Sequence, residues 1–112
     1  MIIGFNAFDL AKDYYSICKT IRLPPYAKDQ LLRASFSVAL NLAEGSGKRT
    51  RNDKRRFFSI AFGSIRECQA ICQLEGIDNK ELLEIADKLG AILFKLSRET
   101  FPISENNKAK MK

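Results

Sequence analysis

Residues 31–66 constrain the fold more than any other part of the chain, because two apolar stretches there flank a short connection rich in glycine and arginine. Around the first stretch we predict a helix from about Lys28 to Glu44, with apolar residues over most of its circumference. Around the second we predict a helix from about Asn52 to Leu74, whose first half is apolar on nearly every side. A helix of this kind is buried on most sides. Both helices are therefore expected to need many packing partners.

Glycine and proline mark the boundaries of two further segments of helical length. Pro24 and Pro25 end a first segment, which runs from about Asn6 to Thr20. Gly76 precedes a fourth segment, from about Asn79 to Arg98, in which leucine and isoleucine recur at the three- and four-residue spacing typical of helix packing. No segment shows the sustained alternation of a strand. The sequence therefore predicts an all-α protein with four helices.

The chain has 112 residues, a length that suits one domain. Short connections between four helices of similar length favour an antiparallel up-down-up-down bundle. We assign residues 1–101 to this bundle. Residues 104–112 contain almost no apolar side chains, so we expect residues 102–112 to form a disordered C-terminal tail.

Particular residues near the centre of the chain predict how the second and third helices end and pack. Gly45 is expected to end the second helix in the left-handed conformation that glycine adopts readily. Thr50 or Asn52 has the side chain needed to cap the third helix. Gly63 lies inside that helix, where glycine costs about 1 kcal/mol relative to alanine. We interpret Gly63 as the site of a close crossing with another helix.

The apolar surface of the second and third helices exceeds what a simple four-helix bundle buries. Left in water, the excess would form a patch of the kind that monomers avoid. We therefore predict a homo-oligomer with these two helices near the interface. The alternative is that both helices are simply central within one bundle. The expected interface residues are Phe36, Leu40, Phe58 and Phe62.

Residues 48–56 carry most of the net positive charge of the protein. They contain six basic residues and Asp53, so they supply +5 of the formal net charge of +6. Cations at a helix start are unfavourable, so helix stability does not account for them, whereas a bound phosphate would. The alternative is a solvated loop that keeps the protein soluble. The predicted nucleic-acid contacts are Lys48, Arg49, Arg51, Lys54, Arg55 and Arg56.

The remaining composition excludes several kinds of chemistry. The chain has no histidine, the commonest general base and metal ligand. Cys68 and Cys72 are four residues apart, but nothing completes a metal site, so we interpret them as small buried hydrophobic residues. We expect no cofactor and no enzymatic activity, because no catalytic or nucleotide-binding motif is present. An odd cysteine count, no signal peptide and no apolar span predict a cytoplasmic protein without membrane contact.

A set of residues in the second and third helices also matches a known pattern. These residues are Leu32, Arg33, Ala34, Ser37, Asn41, Ala43, Glu44, Gly45, Phe58, Gly63, Ser64 and Glu67. Their order and spacing resemble those of the four-helix-bundle family called S23 ribosomal protein, or 23S rRNA intervening-sequence protein. The resemblance covers about residues 5–98.

The resemblance implies an up-down four-helix bundle that assembles into a closed ring, with five subunits. It also implies association with nucleic acid, RNA in particular, since the family includes the accessory variability determinant of diversity-generating retroelements, which engages a reverse transcriptase and its RNA. The leading hypothesis is therefore a non-enzymatic, homo-oligomeric protein that binds nucleic acid, RNA in particular. The alternative is an interaction scaffold or accessory subunit whose basic residues dock an acidic or polymerase-type protein partner.

Overall fold

A computed structural model describes the backbone of residues 2–99 and the side chains of residues 6–98. This part of the chain is all-α and contains no strand, as predicted. The predicted tail, residues 102–112, lies outside the described residues. The four helices are α1 (Ile2–Thr20), α2 (Pro25–Ser46), α3 (Arg51–Glu75) and α4 (Lys80–Glu99).

The four helices surround one apolar core. Each helix packs against its neighbours in the chain, α1 also packs against α4, and the most extensive contact is between α2 and α3. The core takes one stripe of residues from each helix at helical spacing, because only a stripe of this width can face the centre of a bundle. Its largest fully buried side chains are Tyr14, Leu31, Leu42, Ile65, Leu82, Leu89 and Leu93.

Contacts along the α2–α3 pair fix the register between the two helices. Near the start of α2, the Tyr26 hydroxyl donates to the Glu75 carboxylate at 3.3 Å. Half-way along, the Ser37 and Ser64 hydroxyls share a hydrogen bond of 2.9 Å. At the end of α2, Gly45 lies against the aromatic ring of Phe58. The short connection that follows is therefore held between two packed helix ends.

The caps of α3 explain where this helix begins and ends. Thr50 has an extended backbone, and its hydroxyl accepts from the Asp53 N–H at 3.1 Å, so the predicted Thr50 cap is confirmed. Gly76 has a φ of 67°, the left-handed conformation in which glycine ends a helix without a steric penalty.

The glycine at position 45 plays a different part from the one predicted. Gly45 is buried inside α2, which continues to Ser46, so the expected left-handed end at Gly45 is wrong. A Cβ atom at Gly45 would lie 2.7 Å from Cε1 and 2.9 Å from Cδ1 of Phe58, which is closer than nonbonded carbons approach. Gly45 therefore permits the close approach of α2 to α3.

Gly63 does not have the close crossing predicted for it inside the chain. It is exposed on α3. Apart from the backbone of its own helix, no other residue in the described part of the chain has a heavy atom within 4 Å of a Cβ built at Gly63. The close approach expected at Gly63 occurs at Gly45 instead.

Phe58 also differs from its predicted position. It was expected at a surface between subunits, but its side chain is 3% exposed and belongs to the core of the single chain. The physical reason is its packing over Gly45, which draws the ring between α2 and α3. Little of Phe58 is left to contact a second copy.

Three buried thiols surround a buried tyrosine in the core. Cys18, Cys68 and Cys72 are free and buried, as expected of small hydrophobic residues, and they lie close to the Tyr14 hydroxyl. Burial raises the pKa of the Cys18 thiol to about 12 and also raises the pKa of Cys68. The same burial moves the pKa of Tyr14 far above its usual range. These groups are therefore neutral in the folded chain at physiological pH.

We predict that Gly45→Ala lowers the free energy of unfolding by about 1–3 kcal/mol, because the new methyl group overlaps the Phe58 ring. Urea denaturation followed by circular dichroism measures this loss. Phe58→Leu is the matched control, since a smaller side chain relieves the overlap. The double variant should be less destabilised than the sum of the single variants. An unchanged stability of Gly45→Ala would contradict the close packing.

We also predict that stability is constant up to about pH 8 and falls as the pH rises from about 9 toward 12. In this range the unfolded chain loses protons from thiols of ordinary pKa, near 9.0, while the folded chain retains them, so the free energy of the unfolded state falls relative to that of the folded state. Urea midpoints measured from pH 7 to 11 test this. Cys18→Ala should show a shallower alkaline decline, and an identical decline would contradict the assignment.

Candidate nucleic-acid interface

The six predicted basic residues lie where α2 ends and α3 begins, at one end of the bundle. Residues 47–50 connect the two helices, and the remaining cations follow on the first two turns of α3. Arg49 and Arg51 are exposed. Neither forms a hydrogen bond or an ion pair with any residue that the structure describes. These two guanidinium groups are therefore available to an external anion.

Lys54 has a role inside the chain that the charge pattern did not reveal. Its Nζ donates to the carbonyl oxygens of Gly45 at 3.5 Å and of Ser46 at 3.3 Å. Carbonyls at a helix C-terminus lack partners in the helix and carry partial negative charge, so a cation there is stabilising. The expectation that helix stability explains none of the cations is thus wrong for Lys54, which stabilises the end of α2.

Two other cations flank the half-buried ring of Phe57. Lys48 Nζ lies 5.1 Å from the centre of this ring, and the guanidinium carbon of Arg56 lies 4.6 Å from it. Lys48 also pairs with Glu44 at 3.7 Å, and Arg56 pairs with Asp53 at 3.9 Å. Exposed ion pairs of this kind contribute little, about 0–1 kcal/mol, so a phosphate can compete for both cations.

The structure therefore separates the six cations into groups. Arg49 and Arg51 are exposed, whereas Lys48 and Arg56 are held beside Phe57. Lys54 and Arg55 are half-buried, and both already interact within the chain. We call Lys48, Arg49, Arg51 and Arg56, together with Phe57, the basic end.

Phe57 is the member of the basic end that sequence reasoning missed. It lies directly after a run of cations, and basic residues interleaved with an aromatic residue are typical of surfaces that bind single-stranded nucleic acid. The signal was hidden because Phe57 belongs to the apolar stretch of α3, where an aromatic residue is expected to face the core.

The remaining predicted interface residues lie away from the basic end. Phe36 and Leu40 on α2 are 51% and 49% exposed. Phe62 on α3 is half-buried and packs against Phe94 of α4, with ring centres 5.8 Å apart. The structure thus leaves three of the four predicted interface residues at least partly accessible.

The described residues contain neither a cluster of possible metal ligands nor a helix that could cross a membrane. We find there no group of three or more cysteine or acidic side chains arranged to hold a metal ion. Within the same residues, every helix is too short or too polar to cross a bilayer.

Comparison with known proteins gives one match. The family model described as 23S rRNA-intervening sequence protein matches residues 2–98, which is most of the chain and nearly all of the described part. No curated protein and no solved structure matches.

We predict that Lys54→Ala lowers the free energy of unfolding by about 0.3–1 kcal/mol, because it removes the cation from the end of α2. Arg51→Ala is the matched control, since it removes an equal charge from the same turn of α3 without disturbing those carbonyls, and its change should be smaller. Urea denaturation measures both. Equal losses would contradict the stabilising role of Lys54.

Proposed function

Because the chain belongs to the 23S rRNA-intervening sequence protein family, we propose that it is a non-enzymatic, homo-oligomeric cytoplasmic protein that binds RNA through its basic end. The observation that carries the proposal is the exposure of Arg49 and Arg51 at the end of the bundle where Lys48 and Arg56 also lie near the Phe57 ring. Residues 48–56 carry +5 of the net charge of +6, so this segment attracts a polyanion.

The basic end suits contact with a phosphate backbone. Arginine donates in a planar fork that matches two phosphate oxygens, and Arg49 and Arg51 lie beside the first turn of α3. N–H groups at a helix start favour an anion. Thr50 accepts the N–H of Asp53 through its hydroxyl and that of Lys54 through its carbonyl, so those of Arg51 and Asn52 are left for a phosphate. A phosphate beside this turn would therefore meet charge and backbone donors together.

Phe57 gives the basic end a means of contacting a base as well as a phosphate. Its ring is half-buried, and Lys48 Nζ and the Arg56 guanidinium carbon lie 5.1 Å and 4.6 Å from its centre. An unpaired base can stack on an aromatic or guanidinium face regardless of its identity. We therefore propose binding to single-stranded or looped RNA, with positioning by phosphates and no choice of sequence.

We further propose that the chain is an antiparallel up-down-up-down bundle that closes into a ring, with the five subunits that the family resemblance implies. The contacts from Tyr26–Glu75 to Gly45–Phe58 support the antiparallel arrangement of α2 and α3. The exposed side chains of Phe36 and Leu40 support self-association. Each copy would add a basic end, and weak phosphate contacts gain strength when several act on one RNA.

We predict saturable binding of a structured RNA with unpaired loops, measured by fluorescence anisotropy at several salt concentrations. If each engaged subunit neutralises three or four phosphates, log K should fall with log salt at a slope of roughly −2 to −4 per subunit. The Arg49→Glu, Arg51→Glu double variant should bind roughly tenfold or more weakly and reduce the slope by about 2.

The matched control is Lys80→Glu with Lys88→Glu, which changes the net charge equally at exposed positions on α4. An equal loss of RNA affinity in both double variants would mean that the net charge of the protein, and not the basic end, governs binding. Absence of saturable binding at low salt would contradict the RNA proposal. In that case, a partner retained from cell extract after nuclease treatment would favour an acidic protein.

A further inference from the structure

We infer that copies of this chain join head to tail, with a groove between α1 and α2 of one copy receiving the aromatic surface between α3 and α4 of the next. This inference rests on the proposed homo-oligomer and specifies its two faces. The α1/α2 groove is lined by Phe8, Tyr15, Phe36, Ala39, Leu40 and Ala43. The α3/α4 ridge is formed by Phe62 and Phe94.

The two surfaces lie on opposite sides of the bundle, and both expose apolar side chains. The α1/α2 groove is concave and mostly apolar, while Phe94 is 46% exposed on the α3/α4 ridge. In the described part of the chain, α1 and α3 both contact α2 and α4, but they do not contact each other. The α1–α2 pair and the α3–α4 pair therefore form opposite sides of the bundle. A contact between two different faces is heterologous, and it continues from copy to copy.

The heights of the two surfaces favour closure into a ring over growth of a filament. The Ser37–Ser64 hydrogen bond sets a common level on α2 and α3. Leu40 lies three residues from that level and Phe62 lies two, toward the basic end, so their heights differ by about 1.5 Å. A head-to-tail contact without an axial offset closes into a ring when the rotation between copies divides a full turn, whereas an axial offset produces an open helix.

Opposite charges also meet when copies are joined in this way. If the copies are related by rotation about an axis parallel to the helices, α1 of one copy faces α4 of the next. The Tyr15–Phe36 contact sets the height of α1, and the Gln69–Asp87 hydrogen bond sets the height of α4. Lys19 and Asp87 then both lie about 7.5 Å from the Ser37–Ser64 level, on the side away from the basic end.

A second pair of opposite charges lies toward the basic end. Asp9 on α1 is six residues before Tyr15, and Arg98 on α4 is four residues after Phe94, so their heights agree within about 1.5 Å. Both side chains are exposed. The aromatic contact would therefore lie between two charge pairs that fix the register and direction of the neighbouring copy.

Gly63 supports the same contact. It is exposed beside Phe62, and nothing in the described part of its own chain explains the absence of a side chain there. It lies one residue from the Ser37–Ser64 level, at the height of the α1/α2 groove. Its bare backbone would allow the neighbouring copy to approach α3 closely.

The test is a pair of variants, each of which disables one face. Phe36→Glu alters the α1/α2 groove and Phe94→Glu alters the α3/α4 ridge, and both positions are exposed enough for the fold to tolerate them. In light scattering each variant alone should have the mass of one chain, 12.7 kDa. An equal mixture retains one intact pair of faces, so its mass should be about twice that of one chain and no more.

Leu74→Glu is the matched control, because Leu74 is 84% exposed and belongs to neither face, and this variant should keep the mass of the natural sequence. Full assembly of Phe94→Glu alone would overturn the head-to-tail contact. A natural sequence that remains monomeric at all concentrations would overturn the proposed oligomer itself, while RNA binding by that monomer would leave the basic end in place.

A charge exchange provides an independent measurement. Lys19→Asp and Asp87→Lys should each raise the concentration at which the assembly dissociates by about tenfold, and the double variant should restore it. Circular dichroism confirms that each variant is folded. Failure of the double variant to recover would contradict the pairing of these two residues.

Discussion

The packing of Gly45 against Phe58 is the contact on which the candidate site depends. Without a side chain at Gly45, the last turn of α2 lies directly on the second turn of α3. This leaves only residues 47–50 to cross between the helices, and it brings Lys54 to the final carbonyls of α2. Arg49 in this connection and Arg51 at the start of α3 therefore lie on a segment that is fixed at both ends. This lowers the conformational entropy that the protein loses when it binds RNA.

The surfaces proposed for self-association and for RNA binding lie at different heights along one bundle. The exposed apolar side chains of Phe36 and Phe94 lie near its middle, whereas the basic end closes one of its ends. Copies related by rotation about an axis parallel to the helices would present every basic end on the same rim. Such a rim would contact successive phosphates of one RNA, and the assembly would gain affinity from contacts that are individually weak.

The helices and the charge were predictable from the sequence, but the roles of individual residues within them were not. Periodicity and turn residues predicted four helices, since both depend on local sequence. The close packing predicted at Gly63 occurs at Gly45 instead, because it depends on the register between α2 and α3, which no local pattern encodes. For the same reason Phe58 and Phe62, four residues apart on an extensively apolar helix, could not be sorted into core and surface. The contact of Lys54 with the backbone of α2 was likewise not predictable, because Lys54 is one of several adjacent cations in the sequence.

Photo-crosslinking of the full chain to RNA carrying 4-thiouridine, followed by mass spectrometry of the modified peptides, tests the central claim most directly. We predict crosslinks within residues 46–60, with Phe57 as the principal site because its half-buried ring lies near both Lys48 and Arg56. These crosslinks should disappear in the Arg49→Glu, Arg51→Glu variant. Crosslinks confined to the opposite end of the bundle, around residues 76–80, would contradict the account.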